Sequence, residues 1–428
     1  MEYYSVQKYN PGTTLIKADV PASKSILNRA IILSAFGNGE VLLSCGAFAE
    51  DTRALLSCLT ALGISWEKTS DGLRIIGCNG NIPNRSAHLN VQSAGTAARF
   101  LTATLAFLGG EYTMHSSAQM EARPMEILSV LEQHEVKFEY LGQHGHFPFR
   151  MLSNGISSNV FTVDTDLSTQ YASGILLAAS FYNTPLTLQL TGQRTHGSYI
   201  EMTLSLLRSF GADWTREGNV IHIYPASHSP KQFEIEGDLS GACYFYAMAL
   251  LLSSQVLVRR IHLDTLQGDK KFLELLAARG VIFTDSADGL IADGRTVTAY
   301  NGFCENMRDY SDQALTVAAL APFAVTPTHI YGIGHIRRQE CDRIHAIVEN
   351  LHTLGVPATE ETDGVHVSPS CVNGGIIETY GDHRVAMAFA LIGLKTGNVI
   401  ISDPKCCRKT FENYFEILDK LTKSNNIH

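Results

Sequence analysis

Lys24, Ser25, Ser93, Gly95, Thr96, Ser168, Thr169, Gln170, Asp312, His383 and Arg384 stand at the openings of apolar, small-residue segments. Arg123, Glu340, Arg343 and Lys409 open the segments that follow them. Arginine and lysine bind phosphate and carboxylate oxygens, and the planar arginine fork binds two at once. A helix N-terminus adds free N–H groups and the positive end of the helix dipole. If equivalent ends face a common centre, they make an anion site, and Asp312 and Glu340 beside the cations supply groups that take and give protons. Plainer readings stand next to this one. Ser25, Ser93, Ser168 or Thr169 taken singly reads as a helix cap, as do Asp51 and Asp238. The anion site gains from the same placement recurring along the chain, with Lys24, Arg384 and Lys409 expected at helix ends where only an anion compensates a cation.

The elements that must position these groups form a repeat. Six polar-headed segments begin at Lys24, Ser93, Ser168, Leu239, Ser311 and Gly381, spaced by 69, 75, 71, 72 and 70 residues. A period near one sixth of 428 residues means six copies of one supersecondary unit. In each copy the first helix is apolar all round and therefore buried. A second, amphipathic helix is expected to begin near Asp51, Arg123, Ser198, Gly268, Gln339 and Lys409. Gly63, Gly211, Gly280 and Gly355 sit where several of these must stop in the left-handed conformation. Leu73-Arg-Ile-Ile, Val220-Ile-His-Ile-Tyr and Gly364-Val-His-Val read as strands. The unit is β-α-β-α-β-β, and the fold class is α/β.

Apolar types make up 45% of the chain and charged types 18%, which excludes disorder. At roughly 150 residues per domain, two or three domains are expected. Lys plus Arg is 33 against 42 for Asp plus Glu, so the net charge of -9 argues against nucleic acid or an anionic membrane as partner. The nine cysteines show no C-x-x-C pair and suit free thiols in the cytoplasm. The N-terminus lacks a signal-peptide core. Two uncharged stretches, residues 168–193 and 239–258, have membrane-spanning length, but each is broken by polar residues and fits a repeat.

Taken together, Pro21-Ala-Ser-Lys-Ser-Ile-Leu-Asn-Arg, Ala94-Gly-Thr-Ala-Ala-Arg, Arg123-Pro-Met, Gln267-Gly-Asp, Gln339-Glu-Cys-Asp-Arg, Asp382-His-Arg and Asp403-Pro-Lys-Cys-Cys-Arg-Lys-Thr-Phe carry a specific resemblance. Over essentially its whole length the chain resembles the EPSP synthases of the enolpyruvyl transferase family. The resemblance implies an inside-out α/β barrel in two domains of three repeats each, residues 1–21 with 238–428 and residues 22–237, with both substrates in the cleft between them. The implied reaction transfers the enolpyruvyl group of phosphoenolpyruvate to the 5-hydroxyl of shikimate 3-phosphate, with no cofactor and no metal. The expected partners are those two small molecules, without nucleic acid or membrane, and the chain is expected to be a monomer.

By matching motif, Lys24, Gly95, Arg123, Gln170, Arg343, Arg384 and Lys409 would hold phosphoenolpyruvate. Asp312 would be the base toward the 5-hydroxyl, and Glu340 with Lys24 would move protons at the methylene carbon. Lys24, Ser25, Arg29, Ser168, Thr169, Gln170, His196, Tyr199, Asp312, His335 and Gln339 would face shikimate 3-phosphate. His383 reads equally as a group that stabilises charge and as one that holds its loop.

Four positions depart from the family pattern. Ser93, His196, His335 and Gln339 stand where it has Asn, Ser, Asn and Lys, so the phosphoenolpyruvate set, apart from Ser93, is better preserved than the acceptor set. Losing a lysine at Gln339 removes a unit charge that Arg337, Arg338, His196 or His335 would have to replace. The sister transferase acting on UDP-N-acetylglucosamine carries a cysteine in the loop before the arginine equivalent to Arg123, and Met114-His-Ser-Ser-Ala-Gln-Met-Glu-Ala has none. Cys341 reads as a small buried thiol, and His144-Gly-His146 as a loop. No phosphate-binding G-x-x-x-x-G-K-[ST], G-x-S-x-G or H-E-x-x-H motif occurs. Two alternatives stay open: a different hydroxyl acceptor, or a non-catalytic polyanion-binding protein on the same scaffold.

Overall fold

Alanine, glycine and serine fill the segments that open each repeat, and helices with small side chains pack closely on every side. In the computed structural model, which describes residues 2–12, 14–226 and 228–424, these segments are helices. They run Lys24–Phe36, Gly95–Leu108, Thr169–Ala179, Leu239–Leu251, Ala314–Leu320 and His383–Thr396. All of Leu239–Leu251 is buried except Ser240. A β-carbon on Gly174 would stand 3.3 Å from the Arg99 carbonyl oxygen and 3.4 Å from Ala103 Cβ, so glycine lets Thr169–Ala179 lie against Gly95–Leu108. Among the described residues no helix is long and apolar enough to cross a membrane.

The second helices are Glu50–Ala61, Ile127–Glu132, Ser198–Ser209, Lys270–Ala277, Arg343–Thr353 and Tyr414–Ser424. Ser198–Ser209 buries Ile200, Met202, Leu204, Leu206 and Leu207 and exposes Glu201 and Arg208. The four stop glycines have φ between +76° and +94°.

Three second helices start later than the sequence suggests. Arg123 lies in a turn before Pro124, with its N–H donating to the Met120 carbonyl, and the helix begins at Ile127. Gln339 and Glu340 precede Asp342, whose side chain caps the helix at His345 N–H. Lys409 ends the 3-10 stretch Pro404–Lys409, broken at Thr410, where φ is −133°. Asp312 likewise lies in a 3-10 stretch, Arg308–Gln313, kinked at Tyr310, with the α-helix starting at Ala314.

In the repeats built on the helices Gly95–Leu108, Thr169–Ala179 and Ala314–Leu320, the strand before the first helix runs parallel to the strand after it, which pairs antiparallel with the return strand of a hairpin. Val160–Asp164, Leu186–Thr191, Val220–Ile223 and Trp214–Glu217 lie in that order, with Phe161 opposite Leu188 and Leu188 opposite Ile221. Two strands are exchanged between repeats. Leu15–Ala18 comes just before the helix Lys24–Phe36 but pairs with Gln255–Arg259, while Gln232–Glu234 pairs with Asn38–Ser44. The last repeat has three strands, and Tyr3–Val6 supplies the antiparallel partner of Val399–Ser402.

The chain divides into two units, Met1–Pro21 with Gly237–His428, and Ala22–Glu236. Each has its own continuous apolar core. Gly237 falls in the first unit, one residue from the boundary read in the sequence, because its N–H donates to the Arg260 carbonyl at 2.7 Å.

Candidate active site

In the unit containing the C-terminal half, residues near the helix starts of the last two repeats place one carboxylate among cations. The 3-10 stretch puts Asp312 between two arginines: Arg343 Nη1 donates to Oδ1 at 2.9 Å and Arg384 Nη2 to Oδ2 at 2.8 Å. Burial pushes the Asp312 carboxyl up, but the Arg384 and Arg343 guanidiniums outweigh it and hold the carboxyl down at about 2. Arg343 is fixed by Asp382, with its Nε donating to Oδ2 at 2.7 Å and Nη2 to Oδ1 at 3.3 Å. Asp382 also caps its own helix by accepting the Arg384 N–H at 2.8 Å. Its side chain is 0% exposed and that of Arg343 3%, so one buried carboxylate orients both the helix end and the arginine. Gln339 Oε1 accepts from Arg343 Nη1 as well. Beside this cluster Lys409 Nζ meets Glu340 Oε2 at 2.6 Å. His383 is buried, its Nδ1 3.8 Å from Asp382 Oδ1.

A second carboxyl is shifted the opposite way. Asp269 accepts from Ser240 Oγ and, at 3.1 Å, from Gln313 Nε2. Burial and then the Asp312 charge raise it to about 6. Cys341 donates weakly to Asp382 Oδ2 at 3.7 Å, and burial followed by the Asp382 charge pushes its thiol up to about 12, which leaves it a poor nucleophile.

The other unit places its groups in three clusters. Lys24, the first residue of its helix, pairs with Asp51 at 3.1 Å; Asp51 is not a cap but lies in the first turn of Glu50–Ala61, whose N-cap position is Ala49. At the start of Gly95–Leu108, a β-carbon on Gly95 would be 2.7 Å from Arg99 Nη1 and 3.9 Å from Arg123 Nη1, which brings Gly95, Arg99 and Arg123 together. Ser93 Oγ lies 2.7 Å from Ser117 Oγ, and Thr96 Oγ1 accepts from Asn28 Nδ2. Ser168 caps its helix at Gln170 N–H, and Gln170 Oε1 is buried with no hydrogen-bond partner among the described residues. The β-carbon position of Gly197 falls 3.4 Å from Thr169 Cγ2.

Arg29 is 1% exposed, and its donors reach Thr203 Oγ1 at 2.8 Å, the Ser25 carbonyl at 2.8 Å, Ser173 Oγ at 3.1 Å and the Tyr199 carbonyl at 3.4 Å. Its guanidinium thus ties Ser25 and Tyr199 into the fold. Of the groups offered to replace a charge at Gln339, Arg337 is committed to Asp342 at 2.9 Å and Glu360 at 2.7 Å. Arg338 is exposed. His196 is 67% exposed and faces Glu201 at 4.0 Å. His335 Nε2 lies 2.9 Å from Ser311 Oγ, next in sequence to Asp312. His144 and His146 do not converge: His146 meets the Glu121 carbonyl and His144 lies on the Tyr140 ring.

Reading the sequence for cations and acids missed Arg99, Asp269 and Asp382 as working parts. All three lie inside the motif segments quoted above, and only their contacts separate them from ordinary helix residues.

The model of the family described as EPSP synthase (3-phosphoshikimate 1-carboxyvinyltransferase) matches residues 13–418. The 3-phosphoshikimate 1-carboxyvinyltransferase of Trichormus variabilis is 35% identical over 402 residues, 93% of this chain and 94% of that one. The same-named protein of Neisseria gonorrhoeae is 34% identical over 416 residues, 95% of each. In structure, the EPSP synthase of Acinetobacter baumannii superposes with a TM-score of 0.81 at 24% identity, covering 99% of this chain and 98% of that one. The enolpyruvyl transferase NikO of Streptomyces tendae shares the fold at a TM-score of 0.71 and 16% identity, over 98% and 96% of the two chains. The chain belongs to the EPSP synthase (3-phosphoshikimate 1-carboxyvinyltransferase) family.

Proposed function

We infer that the chain transfers the enolpyruvyl group of phosphoenolpyruvate to the 5-hydroxyl of shikimate 3-phosphate and releases phosphate, the step that carries the shikimate pathway toward chorismate and the aromatic amino acids. The observation that carries this reading is the Asp312 carboxylate gripped by Arg343 and Arg384, with the Lys409–Glu340 pair beside it. Anion-binding cations and two proton-transfer groups are what the reaction needs. The hydroxyl oxygen bonds to the carbon bearing the phosphate ester while its proton leaves to a base. The methylene carbon gains a proton, and the resulting tetrahedral adduct then loses a methyl proton as the carbon–phosphate oxygen bond breaks.

In this scheme Arg343, Arg384 and Lys409, with Lys24, Gly95, Arg123 and Gln170, bind phosphoenolpyruvate. An arginine that turns to the substrate's oxygens relaxes its hold on Asp312. The carboxyl then rises from about 2 toward the range of a working base. Asp312 takes the hydroxyl proton, and Glu340 and Lys24 serve the methylene carbon. Ser25, Ser168, Thr169, Gln170, His196, Tyr199, His335 and Gln339 face shikimate 3-phosphate, with Arg29 holding Ser25 and Tyr199 in position. Its nine free cysteines support a cytoplasmic setting, where we place it as a monomer.

Phosphate release from phosphoenolpyruvate tests this, with shikimate 3-phosphate, unphosphorylated shikimate and UDP-N-acetylglucosamine as parallel acceptors. Release with shikimate 3-phosphate alone is expected. Asp312→Asn should lower kcat by about 100-fold or more, while phosphoenolpyruvate plus acceptor still raise its melting temperature. Release with another acceptor only, or unchanged turnover in Asp312→Asn, would overturn the acceptor or the base respectively.

A further inference from the structure

Two histidines stand face to face on the sheet built from Cys304–Asn306, Thr328–Tyr331, Gly364–Val367 and Ala358–Glu360. His329 and His366 are directly opposite each other across antiparallel strands, with rings stacked 3.8 Å apart at 10°. Thr328, Ile330, Val365 and Val367 alternate with them and are buried, so strand geometry directs both imidazoles to the outer face. Both rings meet one carboxylate: His329 Nε2 is 3.1 Å from Glu361 Oε2, and His366 Nε2 is 2.9 Å from Oε1. Glu361 begins the turn that joins the two neighbouring strands. Its N–H donates to the Gly364 carbonyl at 2.9 Å, and its own carbonyl accepts from Arg337 Nη2 at 2.6 Å.

We propose that His329, Glu361 and His366 form a binding site for a divalent transition-metal ion of the zinc type. Zinc bonds imidazole nitrogen and carboxylate oxygen at about 2.0–2.2 Å, which sets neighbouring donor atoms about 3.0 Å apart at a right angle and about 3.5 Å apart at a tetrahedral one. The ligand atoms already lie within 4.8 Å of one another, with the two nitrogen–oxygen spacings near 3 Å. The backbone that carries them is two paired strands and a tight turn, so small side-chain rotations complete the site. Imidazole with carboxylate favours zinc, copper or nickel over magnesium or calcium, and three protein ligands leave a position for water. The ion also bears on the neighbouring segment. Asp363 and Thr362 of the same turn accept from Gly334 N–H and Arg337 Nε, which hold the stretch leading to Gln339 and Glu340.

The test is calorimetric titration of the full chain with Zn2+ and with Co2+, together with thermal unfolding and the visible spectrum of the cobalt form. Cys304→Ser/Cys371→Ser serves as background because both thiols are exposed. One equivalent should bind and raise the melting temperature, and the cobalt spectrum should lack a thiolate charge-transfer band. His366→Ala and Glu361→Gln should each weaken binding by about 100-fold, with phosphate release in the absence of metal unchanged. Equal affinity in His366→Ala, a thiolate band, or no binding at millimolar zinc overturns the site.

Discussion

Asp312 and Asp269 share one electrostatic neighbourhood and are shifted in opposite directions. Two arginines hold the first at about 2, while burial and the charge of Asp312 raise the second to about 6. The native Asp269 carboxyl therefore binds its proton more tightly than the unfolded one, whose ordinary value is 3.8. Its contribution is fully present below 3.8 and is lost as pH rises through 6. Asp312 runs the other way: its contribution is present above 3.8 and is lost as pH falls toward 2. Of the two windows, only that of Asp269 lies between pH 7 and pH 5. Going from pH 7 to pH 5 the unmodified chain should accordingly gain about 1 kcal/mol of stability relative to Asp269→Asn. Urea unfolding at the two pH values measures it, and equal changes would mean that Asp269 keeps an ordinary carboxyl. At this scale Asp312, Arg343 and Arg384 were legible because their types and repeat positions suffice. Asp269 was not, since a lone Asp after a glycine differs from a surface residue only by what is packed around it. The proposed ligands His329, Glu361 and His366 were hidden for a related reason: no spacing unites them until strand pairing brings them together.

Within an element, the return strand Gly289–Asp293 passes close beneath its neighbour. Gly289 opens the strand Gly289–Asp293 with φ of +147°, and a β-carbon there would lie 2.2 Å from the Val258 carbonyl oxygen. Gly145 has φ of +75° but no atom within 4 Å of its β-carbon position. Gly289→Ala should thus cost about 3 kcal/mol, from backbone strain plus a clash with main chain, and Gly145→Ala about 1 kcal/mol from strain alone. Equilibrium unfolding of both variants decides it; equal effects would mean the strand shifts freely to make room. Helix identity was legible from apolar periodicity, and the glycine stops from composition. The starts of three second helices were not, because the turn at Arg123, Asp342 as a cap and the 3-10 stretch Pro404–Lys409 depend on side-chain and backbone contacts that periodicity does not encode.

For the molecule as a whole, the strand exchange has a consequence for folding. Residues 22–236 contain every strand of their own three sheets, since Gln232–Glu234 completes the one begun by Asn38–Ser44. The other unit instead takes Leu15–Ala18 and Tyr3–Val6 from the N-terminus to finish two of its sheets. A fragment of residues 22–236 should therefore unfold cooperatively on its own, and residues 238–428 should not unless residues 2–21 are supplied. Circular dichroism melts of the two fragments check this. A cooperative melt of residues 238–428 alone would show that the borrowed strands are dispensable.

The amino-acid sequence by itself determined the α/β class, the sixfold repeat, the buried first helices and the groups able to bind anions and move protons. These follow from residue type and period, which act locally along the chain. Tertiary structure decided which strands each repeat keeps, that Asp382 locks Arg343 against Asp312, that Arg29 faces inward, and that two histidines share Glu361. Each of these joins residues far apart in sequence, and only packing and the hydrogen-bonding needs of buried polar groups bring them into contact.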